Sequence, residues 1–213
     1  MELWQDLLEW SQLPSDGAWT PGATCLGWWY GNAVDGDGKW FDRVGSRPGT
    51  LIGNATLGTT GLTVPNRDGY VQFASALSNV KTWAFWFKFS SYRQYDTIIG
   101  SEASSLGYDM RQSGSVYLSA ATYGKLPFSG FDWHHYAWVY NGTNQIKAYY
   151  DGSLVETVVA PANWNVTGTR FGSLSATYPR YITGQATDFL AYSSELDAAG
   201  ISDIYTNSLG RPV

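Results

Sequence analysis

The stretch WHHYAWVY at residues 133–140 is followed by NGTN at 141–144 and by QIKAYY at 145–150. An Asp-Gly pair at 151–152 then leads into SLVETVV at 153–159. Apolar and aromatic residues fill both faces of the first run, and Asn, Asp and Gly are the residues that tight hairpin turns favour. The stretch therefore predicts three antiparallel strands, a β-meander inside a larger sandwich.

The segment around residue 85 predicts a strand that is buried on both faces. Its largest aromatic side chains alternate onto one face, which we expect to be the core: Trp83, Phe85, Phe87 and Phe89. The opposite face carries Thr82, Ala84, Trp86 and Lys88. Because side chains of a strand alternate between its two faces, this second set should lie beneath a further layer of structure.

The end of the chain predicts a closing strand and a short helix. In the strand, Thr187, Phe189 and Ala191 alternate with Asp188, Leu190 and Tyr192, which predicts one set on each face. Residues 197–206 follow a helical spacing that turns Ile201, Ile204 and Tyr205 inward, and Asn207 is the expected stop.

These segments, in their order along the chain, carry a resemblance to a known family. The meander is similar to the W-H-H-x-A-x-x-Y-x-G…x-Y-x-D-G signature of the laminin-G-like, concanavalin A-like jelly-roll superfamily. The other matching pieces are LGWW at 26–29, GTL at 49–51, DGYVQF at 68–73, WAFWFK at 83–88 and the closing segment 184–196. The resemblance covers roughly residues 23–206 and implies an all-β, two-sheet antiparallel jelly-roll sandwich.

Composition and length agree with one sandwich domain. The 213 residues include 24 glycines, aromatics make up 16% and charged residues only 15%, which suits many short strands joined by tight turns. We predict an N-terminal amphipathic arm at 1–22, a sandwich at 23–206 with a short C-terminal helix, and a tail at 207–213.

Charge and hydropathy exclude two classes of partner. The formal net charge is -5 and no Lys/Arg cluster occurs, so nucleic acid and anionic membrane surfaces are not expected partners. No window of 18 apolar residues exists, so no spanning helix is predicted. The single cysteine, Cys25, is expected to be a small buried hydrophobe.

The N-terminal arm predicts a short helix with one apolar stripe. The stripe consists of Leu3, Trp4, Leu7, Leu8 and Trp10, before Pro14 and Gly17 end the pattern. Two tryptophans on so short a helix are a large contact surface. The arm either plugs one end of its own sandwich or docks on a second protein.

The first residues are acidic rather than basic, so they do not form a secretory signal, and we expect synthesis in a cytoplasm. A lone copy of this domain that begins without a leader is the arrangement that the resemblance associates with phage genes. The expected location is then a virion surface, with virion structural proteins as partners. Exposed sheet edges would also favour a homo-oligomer, which the sequence leaves open.

Catalytic patterns are missing from the sequence. Glucanases of this superfamily place carboxylates in an E-x-D-x-x-E arrangement on one strand, and glycoside hydrolysis needs such a pair. Glutamate occurs only at 2, 9, 102, 156 and 195, and never in that pattern. His134 and His135 are neighbours on a strand, so they should point to opposite faces and cannot act as a pair. We therefore expect no enzyme.

One loop offers a candidate metal site. Asp35 and Asp37 alternate with glycines at 36 and 38, a pattern that calcium loops and ordinary turns share. We expect no other cofactor.

Aromatic residues in predicted loops are candidates for sugar binding. Shallow sugar sites combine an aromatic floor with a few amides or carboxylates that take the hydroxyls. The candidates that fit this description are Trp164, Asn163, Asn165, Tyr178, Tyr181 and Tyr95. Trp164 could instead cap one end of the core.

The sequence thus predicts a non-enzymatic β-sandwich module that is displayed on a phage virion, as a capsid decoration or tail-associated protein. Its expected use is adhesion through a cell-surface glycan. The alternative is a soluble lectin or the carbohydrate-binding module of a carbohydrate-active protein.

Overall fold

The fold is taken from a computed structural model, which describes residues 19–65, 68–91, 96–101, 104–111, 115–118, 123–127, 130–160, 167–175 and 180–208. These residues form fifteen strands and one helix. The strands are β1 (Cys25–Trp29), β2 (Gly49–Ile52), β3 (Thr56–Gly58), β4 (Gly61–Val64), β5 (Tyr70–Leu77), β6 (Thr82–Ser91), β7 (Thr97–Ser101), β8 (Ser104–Arg111), β9 (Ser115–Leu118), β10 (Tyr123–Pro127), β11 (Trp133–Tyr140), β12 (Gln145–Tyr150), β13 (Ser153–Val159), β14 (Gly168–Phe171) and β15 (Thr183–Tyr192), and the helix is α1 (Ala198–Asn207).

The strands form two antiparallel sheets that pack face to face. Sheet A has eight strands in the order β13-β12-β11-β6-β15-β4-β3, with β1 paired to β15. Sheet B has seven strands in the order β10-β9-β8-β7-β14-β5-β2. The predicted all-β, two-sheet antiparallel sandwich is confirmed.

The predicted meander is confirmed as β11, β12 and β13. The Asn141 side chain accepts hydrogen bonds from the backbone N–H groups of residues 143, 144 and 145, which holds the first turn. Asp151 and Gly152 form the second turn with φ of 46° and 75°. Positive φ at both central residues is what a two-residue hairpin loop requires, and it matches the twist of the flanking strands.

The core between the sheets is strongly aromatic. The predicted inward face of β6 is confirmed, because Trp83, Phe85, Phe87 and Phe89 are each at most 1% exposed. The hub of the core is Phe189 on β15, whose ring lies 4.8 to 5.9 Å from five other rings. Those rings belong to Trp29, Trp83 and Phe85 of sheet A and to Phe73 and Phe171 of sheet B.

A β-bulge in β15 corrects the predicted alternation of that strand. Thr187 pairs with Trp86 and Leu190 with Ala84, so two residues of β15 stand opposite one residue of β6. Asp188 has φ of 43°, which accommodates the extra residue. Such an insertion shifts the pleat by one position. Thr187 therefore lies on the outer face with Trp86, not on the inner face with Phe189 as the alternation predicted.

Helix α1 covers the outer face of sheet A, which confirms the predicted second layer. Asp197 caps the helix by accepting a hydrogen bond from the backbone N–H of Gly200 at 2.8 Å. Ile201 and Ile204 are buried, and the Tyr205 ring stacks on Trp86 of β6 with centroids 5.3 Å apart. Within the described ranges, no helix has the length and apolarity needed to cross a membrane.

His135 is enclosed between sheet A and α1. Its side chain is fully buried, and its ring lies 5.5 Å from the Trp86 ring and 5.9 Å from the Tyr205 ring. Neither ring nitrogen makes a hydrogen bond. Burial lowers the pKa of His135 from its ordinary value to about 3, because a charged imidazolium would lose its hydration without gaining a partner.

Acid should therefore destabilise the fold through this histidine. Below about pH 6.5 the unfolded chain binds a proton at His135 that the folded chain does not bind until about pH 3. The free energy of unfolding should fall across that window, by about 3 kcal/mol at pH 4. The substitution His135→Phe should remove this component, which urea titrations at pH 7 and pH 4 measure. His134→Phe, next to it, should keep it, and an equal pH dependence in His135→Phe and the unsubstituted protein would contradict the assignment.

Candidate functional site

Tyr181 is the predicted sugar-binding residue that the structure describes. It precedes Ile182, which is fully buried in the core between the sheets. Tyr181 itself is half-buried and forms an isolated parallel bridge with Thr97. The Thr97 backbone N–H donates to the Arg180 carbonyl at 3.2 Å, so the chain around Tyr181 is anchored to the first residue of β7.

The other predicted contact residues lie outside the described part of the chain, and their roles stay predictions. For sugar binding these are Tyr95, Asn163, Trp164, Asn165 and Tyr178. For partner docking they are Leu3, Trp4, Leu7, Leu8 and Trp10.

The Tyr181 ring stacks on the ring of Tyr70 at the start of β5. The centroids are 6.1 Å apart and the planes differ by 27°. Both tyrosines are half-buried, so part of each side chain faces solvent. The guanidinium of Arg170 also lies near the Tyr70 ring, with its Cζ 4.7 Å from the ring centroid. Cation–π contact of this kind holds a ring in one orientation.

A polar row crosses sheet B beside these rings. Arg170 of β14 pairs with Gln72 of β5, and Gln72 pairs with Thr50 of β2, so the three side chains share one face. Arg170 Nε donates to Gln72 Oε1 at 2.8 Å, and Gln72 Nε2 donates to the Thr169 carbonyl at 2.9 Å. Phe171 and Val71, the next residues along these strands, are fully buried in the core, so the polar row lies on the outer face of sheet B.

Tyr70, Tyr181, Gln72, Arg170 and Thr50 together form what we call the tyrosine platform. It joins a partly exposed aromatic floor to a rigid set of hydrogen-bonding groups. Arg170 is 6% exposed, so it serves mainly to fix Tyr70 and Gln72. These five side chains supply two aromatic rings, an amide, a hydroxyl and a guanidinium, which are the kinds of group that line ligand sites.

The two predicted metal ligands belong to a tight turn. Asp35 Oδ1 accepts hydrogen bonds from the backbone N–H groups of Asp37 and Lys39, both at 2.9 Å. Asp37 Oδ2 lies 3.0 Å from Lys39 Nζ. Across the residues that the structure describes, no group of three or more His, Cys, Asp or Glu side chains could hold a metal ion. Asp35 thus forms the hydrogen bonds of a turn, and calcium binding by Asp35 and Asp37 stays a prediction.

The paired histidines point to opposite sides of sheet A. His134 Nδ1 lies 2.8 Å from Asp151 Oδ2, and its ring stacks on Tyr150. His135 lies under α1, as described above. Cys25 is buried as predicted, and burial raises the pKa of its thiol to about 12, so it is not an activated nucleophile.

A second cluster of rings and charges was not predicted. On the outer side of sheet A, the Arg43 guanidinium lies 3.9 Å from the Tyr30 ring, and Tyr30 stacks on Trp28 at 5.1 Å. Trp28 Nε1 donates to the buried Asp188 carboxylate at 2.8 Å. We call Arg43, Tyr30 and Trp28 the arginine stack. Sequence reasoning placed Trp28 in a strand, but no local pattern links it to Arg43.

The sequence profile of the concanavalin A-like lectin/glucanases superfamily matches residues 58–202, which is more than half of the chain. The chain belongs to this superfamily. The predicted resemblance is thereby confirmed, together with the fold that it implied. No curated protein sequence matches the chain.

Solved structures repeat the same fold. A Trypanosoma rangeli sialidase in complex with 2,3-difluorosialic acid aligns with a TM-score of 0.67 at 15% identity, over 89% of this chain and 34% of the sialidase. The receptor binding domain of a botulinum neurotoxin C/D mosaic serotype aligns with a TM-score of 0.64 at 15% identity, over 87% and 51%. The botulinum neurotoxin serotype D ligand binding domain in complex with N-acetylneuraminic acid gives 0.62 at 17% identity, over 87% and 51%. This chain spans from a third to a half of those proteins, and the likeness is one of fold.

Proposed function

We propose that this chain is a non-catalytic glycan-binding module and that the tyrosine platform is its binding surface. The observation that carries the proposal is the pair of stacked, half-buried rings of Tyr70 and Tyr181 beside a polar row on the outer face of sheet B. A pyranose ring would lay its apolar face on Tyr181. The hydroxyls of the sugar would form hydrogen bonds with the accessible side chains of the polar row on sheet B.

The rigidity of the platform supports this use. Arg170 and Gln72 are held to each other by a hydrogen bond, and the Tyr70 ring contacts both Arg170 and Tyr181. A surface that is already ordered loses little conformational entropy when it binds, which favours affinity for a small ligand. Gln72 and Thr50 are half-buried, so their polar groups remain partly accessible at the sheet surface.

Proteins of the same fold support the class of ligand. The sialidase was solved in complex with 2,3-difluorosialic acid, and the serotype D domain in complex with N-acetylneuraminic acid. Both ligands are sugars. Fold alone does not transfer a site, so the support from this chain's own residues is the aromatic platform.

The absence of catalysis is part of the proposal. The sequence lacks the carboxylate pattern that the glucanases of this superfamily use. The tyrosine platform has no acid that could protonate a leaving group. We infer that bound sugar leaves the module unchanged.

The substitution Tyr181→Ala should weaken glycan binding without unfolding the protein. Because the ring is half-buried and lies outside the inter-sheet core, its loss should change the melting temperature little. A glycan array with the unsubstituted protein identifies the ligands, and calorimetry on the strongest should show at least about a tenfold loss of affinity in the variant.

Phe131→Ala is the matched control. Phe131 is 50% exposed and precedes β11 of the other sheet, so its removal takes away an exposed ring without touching the platform. The glycan affinity of the Phe131→Ala variant should equal that of the unsubstituted protein. Unchanged affinity in Tyr181→Ala, or equal losses in both variants, would rule out the platform as the sugar site.

We further propose the setting that the sequence predicted, a module attached to a phage virion through the arm at 1–22. What supports it is the apolar stripe of the arm, which is too short to be stably helical in isolation and must dock to fold. A soluble lectin, or the carbohydrate-binding module of a carbohydrate-active protein, is the alternative. In that case the apolar stripe at residues 3–10 would pack on the sandwich, as Trp19 at the end of the arm does on Trp28.

Deleting residues 1–13 distinguishes attachment to a virion from a soluble lectin or carbohydrate-binding module. If the arm docks on another protein, the deletion should leave the melting temperature of the sandwich nearly unchanged and abolish incorporation into particles. If the arm packs on its own sandwich, the stability should fall by several kcal/mol, because buried Trp and Leu side chains contribute ~1.5–3 kcal/mol each. Differential scanning calorimetry and particle incorporation are the two measurements, and a destabilised deletion that still assembles would contradict attachment through the arm.

A further inference from the structure

The Arg43 guanidinium is fixed by rings rather than by acids. It lies over the Tyr30 ring at 3.9 Å and within 5.9 Å of the Trp28 ring. Trp19 packs edge-on against Trp28 at 5.6 Å, and its indole N–H donates to Asp203 at the far side of the cluster. The Trp28 end of the arginine stack is therefore held in place.

The loop that carries Arg43 is rigid. The neighbouring Asp42 is 3% exposed, and its carboxylate accepts hydrogen bonds from the backbone N–H groups of Trp28, Val44, Gly45 and Arg47. The Arg43 backbone N–H donates to the Trp28 carbonyl at 2.8 Å. These bonds tie the loop to β1, so the position of Arg43 relative to Tyr30 is set before any ligand arrives.

Among the residues that the structure describes, none forms a hydrogen bond with the Arg43 guanidinium. Its Nε is buried and makes no hydrogen bond. The ion pairs found among the described residues involve Lys39, His134 and Lys147, and not Arg43. A guanidinium has five N–H donors in a planar fork that matches a carboxylate. The side chain as a whole is half-buried, so part of the fork faces solvent.

Asp188, the buried acid that contacts Trp28 of the arginine stack, is already engaged. Asp188 is fully buried and accepts the Trp28 indole N–H at 2.8 Å. Burial lowers the pKa of Arg43, and electrostatic interactions with Tyr30 and then Asp188 partly oppose this shift. An incoming acid would therefore reach Arg43 from the solvent side.

We propose that Arg43 is a second binding site, which receives the carboxylate of an acidic sugar residue through its guanidinium. The choice of a sugar as the ligand rests on the proposed glycan-binding function. The choice of an acidic sugar rests on the unpaired N–H donors of the Arg43 guanidinium. The site lies on the outer side of sheet A, whereas the tyrosine platform lies on sheet B. The two sites would thus bind different parts of one glycan or two different glycans.

The test is a titration of isotope-labelled protein with four small probes: methyl β-D-glucuronide, N-acetylneuraminic acid, methyl β-D-glucoside and sodium acetate. The readouts are the NMR signals of the Arg43 Nε–H and the Trp28 Nε1–H. The two acidic sugars should shift both signals at concentrations at least about tenfold lower than the glucoside or acetate requires. Added salt should weaken this binding.

Arg43→Gln should abolish the preference for acidic sugars, and Arg43→Lys should recover only part of it, because lysine keeps the charge but lacks the planar fork. Lys39→Gln is the matched control, since it removes a cation of the same loop that Asp37 already pairs. The melting temperature of each variant checks its fold. The Trp28 signal gives a second readout where the arginine signal is lost.

The comparison with Tyr181→Ala keeps the two proposals apart. That variant should retain the response of the Trp28 signal to the acidic sugars even where it loses affinity for glycans at the platform. Equal responses to glucuronide and glucoside, an acetate response as strong as that to the acidic sugars, or an unchanged preference in Arg43→Gln would overturn the Arg43 site. If the Trp28 signal of Tyr181→Ala no longer responded to the acidic sugars, the Arg43 site could not be independent of the tyrosine platform.

Discussion

A single extra residue in β15 sets the arrangement of the whole sandwich. Asp188 takes a positive φ of 43° and its carboxylate receives the Trp28 indole N–H, which ties β1 to the centre of sheet A. Because of the bulge, Phe189 points inward and contacts rings from both sheets. Without the insertion, Thr187 and Phe189 would share a face, and either a hydroxyl would enter the aromatic core or Phe189 would leave it.

The two sheets consequently have different surfaces. The outer face of sheet A is closed by α1 and by the Trp19–Trp28 pair, with Trp86 and His135 enclosed beneath the helix. Burial of the neutral His135 ring should make this layer sensitive to acid. The outer face of sheet B instead presents the tyrosine platform, whose order comes from cross-strand contacts among Arg170, Gln72 and Tyr70. Helix α1 thus covers part of the outer face of sheet A, whereas the proposed tyrosine platform lies on the outer face of sheet B.

The sequence predicted what local chemistry determines. The Asp-Gly turn at 151–152 and the Asp197 cap each depend on neighbours within a few residues, so the meander and the closing helix were found with nearly correct bounds. The bulge was missed because nothing in period-two alternation marks one inserted residue. Tyr181 was selected for its loop setting, but its ring partner Tyr70 comes from β5, and Arg170, which contacts Tyr70, comes from β14. Their meeting is a consequence of sheet order, which composition does not encode.

The most direct test of the role of the bulge compares three substitutions at Asp188 by the free energy of unfolding in urea. Asparagine tolerates positive φ and can still accept the Trp28 indole N–H, so it should cost least. Glycine tolerates the backbone but leaves that N–H unsatisfied, at about 1–3 kcal/mol. Alanine should cost about 1 kcal/mol more than glycine, because it also strains the backbone. An alanine variant as stable as the unsubstituted protein would contradict the account.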